Sequence, residues 1–237
     1  MEDFFGAMME KEFLHEWDVD YRTAVRIQEE LRKSISLKNS GPRKVGIIAG
    51  ADISYNRGDD LFHAAVVLLR FPSMERLEES TVSDRVRFPY IPGLLSFREG
   101  PVLLRAFAGL TARPDVALFD GQGIAHPRGV GLASHLGLLL DIPSVGCAKK
   151  RLFGEYGPVG ENVGDFSPLV HERKIIGAAV RTKKKTKPVF ISPGHRISHR
   201  RAVAIALSSC RGYRIAEPIR QAHLLVNRIR KENTSRV

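Results

Sequence analysis

Residues 114–129 read "PDVALFDGQGIAHPRG". The run "VALF" is apolar throughout, without the alternation of a half-solvated strand, so it suits a strand buried on both faces of a parallel sheet. It ends on an acid, Asp120, and opens into Gly121-Gln122-Gly123, with His126 close behind. A turn needs a glycine. It does not need an aspartate and a histidine flanking that glycine. Open α/β sheets bind their ligands at the carboxyl ends of the strands, and Asp120 falls at such an end.

Working outward, "FREGPVLLRAFAGLT" before this stretch and "GVGLASHLGLLLD" after it carry the period of helices, and "PSVGCA" is a further strand. This alternation implies parallel pairing through helical crossovers. Upstream, "VGIIAGADISY", "FHAAVVLLRF" and "MERLEESTVS" are strand-like runs separated by "NRGDD" and "PS", connections short enough for antiparallel hairpins. "KIIGAAVRT" and "PVFISPG" read as later strands, and helices are expected over residues 198–209 and 217–231. A first helix, capped by Asp18 or Asp20, places Ala24, Ile27, Leu31 and Ile35 on one face and ends before Gly41-Pro42. The expected fold is therefore α/β: a mixed sheet of three antiparallel strands followed by αβαβ, flanked by helices. Residues 1–16 read as a tail or short extra helix, and residues 17–237 as a single domain.

The chain has 237 residues, with 37 Lys+Arg against 26 Asp+Glu, a formal net charge of +11. Such an excess points to a polyanionic partner, nucleic acid before membrane. From Arg173 to Ala216 there are twelve basic residues and no acid, a one-sidedness that suits contact with a phosphate backbone. Lys183, Lys184, Lys185 and Lys187 are its densest part. Two cysteines, Cys147 and Cys210, exclude a disulfide framework and fit a reducing cytoplasm. The acidic N-terminus does not resemble a signal peptide, and no apolar run approaches the ~20 residues of a membrane span.

Three acids are ambiguous one at a time, Glu99 also serving helix-start electrostatics and Asp120 a turn, and more telling together. Asp52 interrupts an apolar run that reads as a central strand, and a carboxylate there must be paired, neutral or metal-bound. Glu99 lies near the start of a helix, and Asp120 at a strand end. If the strands of Asp52 and Asp120 are adjacent, their carboxylates share one end of the sheet and Glu99 reaches over from its helix. Oxygen donors without cysteine suit Mg²⁺ or Mn²⁺ better than zinc. Lys149 and Lys150 follow "SVGCA" at another strand end, in reach of a phosphate. His126, His135 and His195 are further candidates for phosphate contact, His195 because it precedes a helix N-terminus. His223, on the last helix, reads by itself as a partly buried helical histidine. Gly121-Gln122-Gly123 lacks the third glycine of a dinucleotide loop and carries no such reading.

The order of elements is that of ribonuclease H-like proteins. The blocks "PYIPGLLSFREGP", "DVALFDGQGIAHPR", "GLASHLGLLLDIPSVGCAKKRLFG", "VFISPGHRIS" and "EPIRQAH" resemble, in sequence and order, the signature blocks of endonuclease V. The likeness runs from about Trp17 to Arg230. It implies a ribonuclease H-like fold and a Mg²⁺-dependent enzyme, Mn²⁺ substituting, that acts on inosine-containing DNA; the oligomeric state stays open, a monomer being the expectation. Such an enzyme hydrolyses the second phosphodiester bond 3′ to the deaminated purine and so starts repair. By position the resemblance makes Asp52, Glu99 and Asp120 metal ligands and brings His223 and Lys149 into the catalytic site. It also makes Tyr90 a wedge that parts the strands and His126 a family position. Hypoxanthine presents an O6 acceptor and an N1–H donor, and backbone groups around Gly93 or Gly121 are placed to read that pattern. The alternatives are an inosine-specific ribonuclease acting on single-stranded RNA and a non-catalytic nucleic-acid-binding module of the same fold. Three clustered acids beside a polyanion speak against the latter.

Overall fold

The computed structural model describes residues 15–234; residues 1–14, the bulk of the expected tail, lie outside the described residues. Helix α1 (Tyr21–Ser34) is capped by Asp20, whose carboxylate accepts from the Thr23 N–H at 2.8 Å. Three strands follow: β1 (Ile47–Tyr55), β2 (Leu61–Arg70) and β3 (Glu75–Arg85). Then come α2 (Leu95–Ala108), β4 (Val116–Phe119), α3 (Leu132–Leu139) and β5 (Ser144–Ala148). The chain ends with β6 (Phe166–His171), β7 (Lys174–Val180), β8 (Val189–Pro193), α4 (His199–Ser208) and α5 (Glu217–Thr234).

All eight strands form one sheet in the order β3-β2-β1-β4-β5-β8-β7-β6. The β1–β2–β3 meander is antiparallel, while β4 runs parallel to both β1 and β5. The central strands bury both faces, so their sequences are apolar on consecutive residues; edge strand β3 instead alternates and is charged, which resists edge-to-edge pairing. The sequence reading omits β6, which closes the far edge as a hairpin with β7. Pro168 inside it is tolerated because an edge strand has a side without ladder bonds.

Two helical layers cover the sheet. Ile48, Val67, Leu118 and Val145 pack with Ala202, Ile219 and Val226 of α4 and α5 on one face. Ala49, Val66 and Phe119 pack with Leu103, Phe107 and Leu136 of α2 and α3 on the other. Among the described residues no helix is long and apolar enough to cross a membrane.

Candidate active site

Asp52 lies on the β1 face that carries Ile48 and Gly50, the face toward α5 (period two). Gly50 meets Pro218 and Ile219, Asp52 meets His223 and Ser54 meets Asn227, so the helix partners 219, 223 and 227 recur every four residues. Two strand residues advance about 6.6 Å and four helix residues about 6 Å, so helix and strand stay in step along three contacts. The helix lies this close because residue 50 is glycine: a Cβ there would sit 2.1 Å from the Pro218 carbonyl. His223 Nδ1 is thereby held 2.7 Å from Asp52 Oδ2, a contact that raises the histidine's pKa, and the Asn227 side chain donates to the His223 carbonyl at 2.8 Å.

Asp120, one residue beyond β4, comes level with Asp52 because β1 and β4 pair in parallel with Ala51 opposite Phe119. The ammonium of Lys149, just past β5, bonds its carboxylate. Glu99 enters from α2. Burial first, then the charges of Asp52 and Asp120, push its carboxyl up to about 8; burial and Asp52 likewise raise Asp120, against the pull of Lys149. Three carboxylates from three elements thus repel one another at one end of the sheet. Among the described residues no three His, Cys, Asp or Glu side chains close into a ready cation cage; Lys149 and His223 supply the countercharge instead. The donor set is nonetheless all oxygen, and a divalent cation would relieve the repulsion that lifts Glu99. The residues fit a hard cation.

Beside this cluster the loop before α2 presents Tyr90, 65% exposed. Gly93, at φ +81°, turns the loop, a conformation other residues rarely adopt. Its carbonyl accepts from His126 Nε2 at 2.9 Å, the Arg128 guanidinium at 2.7 Å and the Gln28 amide at 3.1 Å. His126 Nδ1 accepts from the Arg128 N–H, so its proton lies on Nε2; burial, aided by Arg128, lowers its pKa to about 4. A cavity of about 120 Å³ opens behind the loop, lined by Tyr90, Ser96, Gln122, His126, Leu132 and Leu152 among others. Gln28, Arg128 and Asn227 escape the sequence reading. The one available signal is a polar Gln28 on the face of α1 that otherwise buries apolar residues.

Lys183, Lys184, Lys185 and Lys187 are exposed on the β7–β8 turn, at the carboxylate end of the sheet because β8 runs antiparallel to β5. The same pairing sends His195 to the opposite end. There it is 5% exposed, with its ring accepting from the Ser36 N–H and its own N–H donating to Ser144. The helix start after "SPGH" is real, but on the wrong side for this site, and His195 is corrected to a core residue. Gly121 is partly buried, and a Cβ there would face Leu132 at 3.2 Å. Its neighbour Gln122 lines the cavity. His135 is fully buried, bonded to Ser96 and His15.

This fold, with Asp120 and Lys149 following the ends of two adjacent parallel strands, Asp52 on a third and Glu99 and His223 brought in by helices on either face, defines a nuclease of the ribonuclease H-like class. The endonuclease V family model matches residues 29–224. A 52% identical endonuclease V from Methanothrix thermoacetophila aligns over 213 residues, 90% of this chain and 93% of the relative. The crystal structure of endonuclease V from Streptomyces avermitilis superposes with a TM-score of 0.86 at 39% identity, covering 92% of this chain and 96% of that one. That of Ciona intestinalis, in complex with a 24mer DNA containing an inosine followed by a ribo-adenosine, gives 0.77 at 28% identity, covering 87% and 96%. The chain belongs to the endonuclease V family and is a hydrolase of phosphodiester bonds. The family is generally metal-dependent.

Proposed function

We propose that this protein is a Mg²⁺-dependent endonuclease, Mn²⁺ substituting, that recognises hypoxanthine in DNA and cuts the second phosphodiester bond 3′ to it, working as a cytoplasmic monomer in one catalytic domain over residues 17–237. The observation that carries this reading is the convergence of Asp52, Glu99 and Asp120 beside Lys149 and His223. Asp52, Glu99 and Asp120 would hold the ion. When bound, it stabilises negative charge on the phosphate and eases deprotonation of the attacking water. Lys149 adds a positive charge where the scissile phosphate approaches Asp120. His223, its proton retained by Asp52, faces the 3′-oxygen that leaves, and the products are a 3′-hydroxyl and a 5′-phosphate. Tyr90 fills the gap left by the extruded base, which enters the cavity held open by Gly93 and His126. An inosine pair unstacks at lower cost than a normal pair, which adds to selectivity. The lysines of the β7–β8 turn contact phosphates and fix the register without reading the base.

A second reading, cleavage of inosine-containing RNA, draws support from the ribo-adenosine that follows the inosine in the Ciona intestinalis complex. Matched DNA and RNA oligonucleotides carrying one inosine, incubated with Mg²⁺ and mapped to the nucleotide, separate the two. Efficient nicking of DNA at the second bond 3′ to inosine supports the main reading. Cleavage of RNA alone transfers the activity to the second.

A further inference from the structure

We infer that Tyr213 is a second stacking platform, one that holds an unpaired nucleobase on the strand being cut, on the sheet face opposite Tyr90. The inference rests on the nucleic-acid reading of the site. Tyr213 lies in the loop between α4 and α5 and is 51% exposed, although it is a large ring next to a well-packed core. Its ring is not loose. The Arg220 guanidinium stacks 4.3 Å from the ring centroid, and Arg220 is itself fixed by a two-armed bond to Glu217, 2.7 Å on each arm. The Lys183 ammonium stands 5.9 Å from the same centroid.

The loop is also tied to the catalytic end of the sheet. Arg214 donates to the carbonyls of Lys149, Lys187 and Pro188 at 2.8–2.9 Å, and Thr182 Oγ1 donates to the Arg214 carbonyl. One side chain therefore links the residue after Tyr213 to Lys149, the partner of Asp120, and to the basic turn. An aromatic ring held by a cation and bordered by another, beside a phosphate-cleaving centre, is the arrangement that binds single-stranded nucleic acid: the ring stacks a base and the cations meet the backbone. Tyr90 precedes α2, on one face of the sheet; Tyr213 precedes α5, on the other. A strand crossing the carboxylate end is thus bracketed by two rings.

The test combines Tyr213→Ala and Tyr213→Phe with an abasic scan. Affinity is measured in EDTA, where no cut is made, using fluorescein-labelled duplexes that carry one inosine and a single abasic residue stepped through the flanking positions. In wild type, removing the base at one flanking position should weaken binding by roughly 5- to 150-fold, the range for one stacked base. Tyr213→Ala should bind the intact duplex that much more weakly and lose all sensitivity to that position. Tyr213→Phe should retain both, and melting temperatures should match. Wild-type affinity and an unchanged scan in Tyr213→Ala would overturn the inference, as would a uniform loss accompanied by a lower melting temperature. Should wild type show no preference for inosine but keep the coupling at Tyr213, the platform stands and the lesion reading falls.

Discussion

Replacing Gly50 by alanine tests whether α5 is placed on β1 as described. The added Cβ would lie 2.1 Å from the carbonyl carbon and oxygen of Pro218 and 2.7 Å from the Ile219 nitrogen. Both neighbours are backbone and cannot rotate away. Restoring ordinary contact at 3.4 Å means opening the helix–strand gap by about 1.3 Å, the difference from 2.1 Å. Overpacking of this kind costs about 1–3 kcal/mol of stability. The functional loss should be larger than the stability loss, because the same displacement carries His223 away from Asp52. A misplacement of about 1 Å in a catalytic group costs on the order of 100-fold in rate. Gly50→Ala should therefore melt lower in urea yet remain folded, bind inosine duplex within a few-fold of wild type, and lose about 100-fold in single-turnover nicking. A variant with wild-type stability and wild-type turnover would show that α5 does not seat on Gly50, and the positioning of His223 would have to be rebuilt.

Tyr90→Ala should lose binding worth roughly 1 to 3 kcal/mol on duplex inosine, less where the lesion is already unpaired, while Tyr90→Phe stays near wild type; equal losses on both substrates in fluorescence anisotropy would refute the wedge. Neutralising Lys183, Lys184, Lys185 and Lys187 together should weaken lesion and normal DNA alike and make log K against log salt shallower, by up to about 0.9 for each phosphate no longer neutralised; an unchanged slope would show that the turn touches no phosphate. His126, neutral and lowered to about 4 against 6.5 in the unfolded chain, binds its proton more weakly when folded. Its contribution is complete above about pH 6.5 and is lost as pH falls toward 4, on the order of 3 kcal/mol at 1.36 kcal/mol per unit. Urea titrations of His126→Gln should show a flatter stability profile over that window; an identical profile would place the titration elsewhere.

The sheet was legible where burial forces the sequence to declare itself. "IIAGA" and "VALF" are apolar on both faces, which only central strands require, and this placed Asp52 and Asp120 side by side. Glu99 was legible as an acid near the start of a helix and became part of the site only through tertiary packing. β6 was not legible, because Phe166 is 60% exposed and Pro168 interrupts the run. His195 misled for a topological reason: a histidine before a helix is an anion site only at the right end of the sheet, and strand direction decides the end. Gln28 bonds Gly93, far away in sequence, so its polar place on the buried face of α1 hints that it has a partner without naming one, and Asn227 bonds His223 one helical turn back with no pattern to announce it.

The central claim is that Asp52, Glu99 and Asp120 hold the cation that makes the cut. Mn²⁺ binding followed by electron paramagnetic resonance, in the same samples assayed for nicking of an inosine duplex, tests it most directly. Asp120→Asn should lose bound Mn²⁺ and nicking together, a loss of Lewis-acid stabilisation worth several kcal/mol, while its affinity for the duplex is kept or improved as negative charge beside the phosphates is removed. Mn²⁺ occupancy and nicking at wild-type levels in Asp120→Asn would contradict the account.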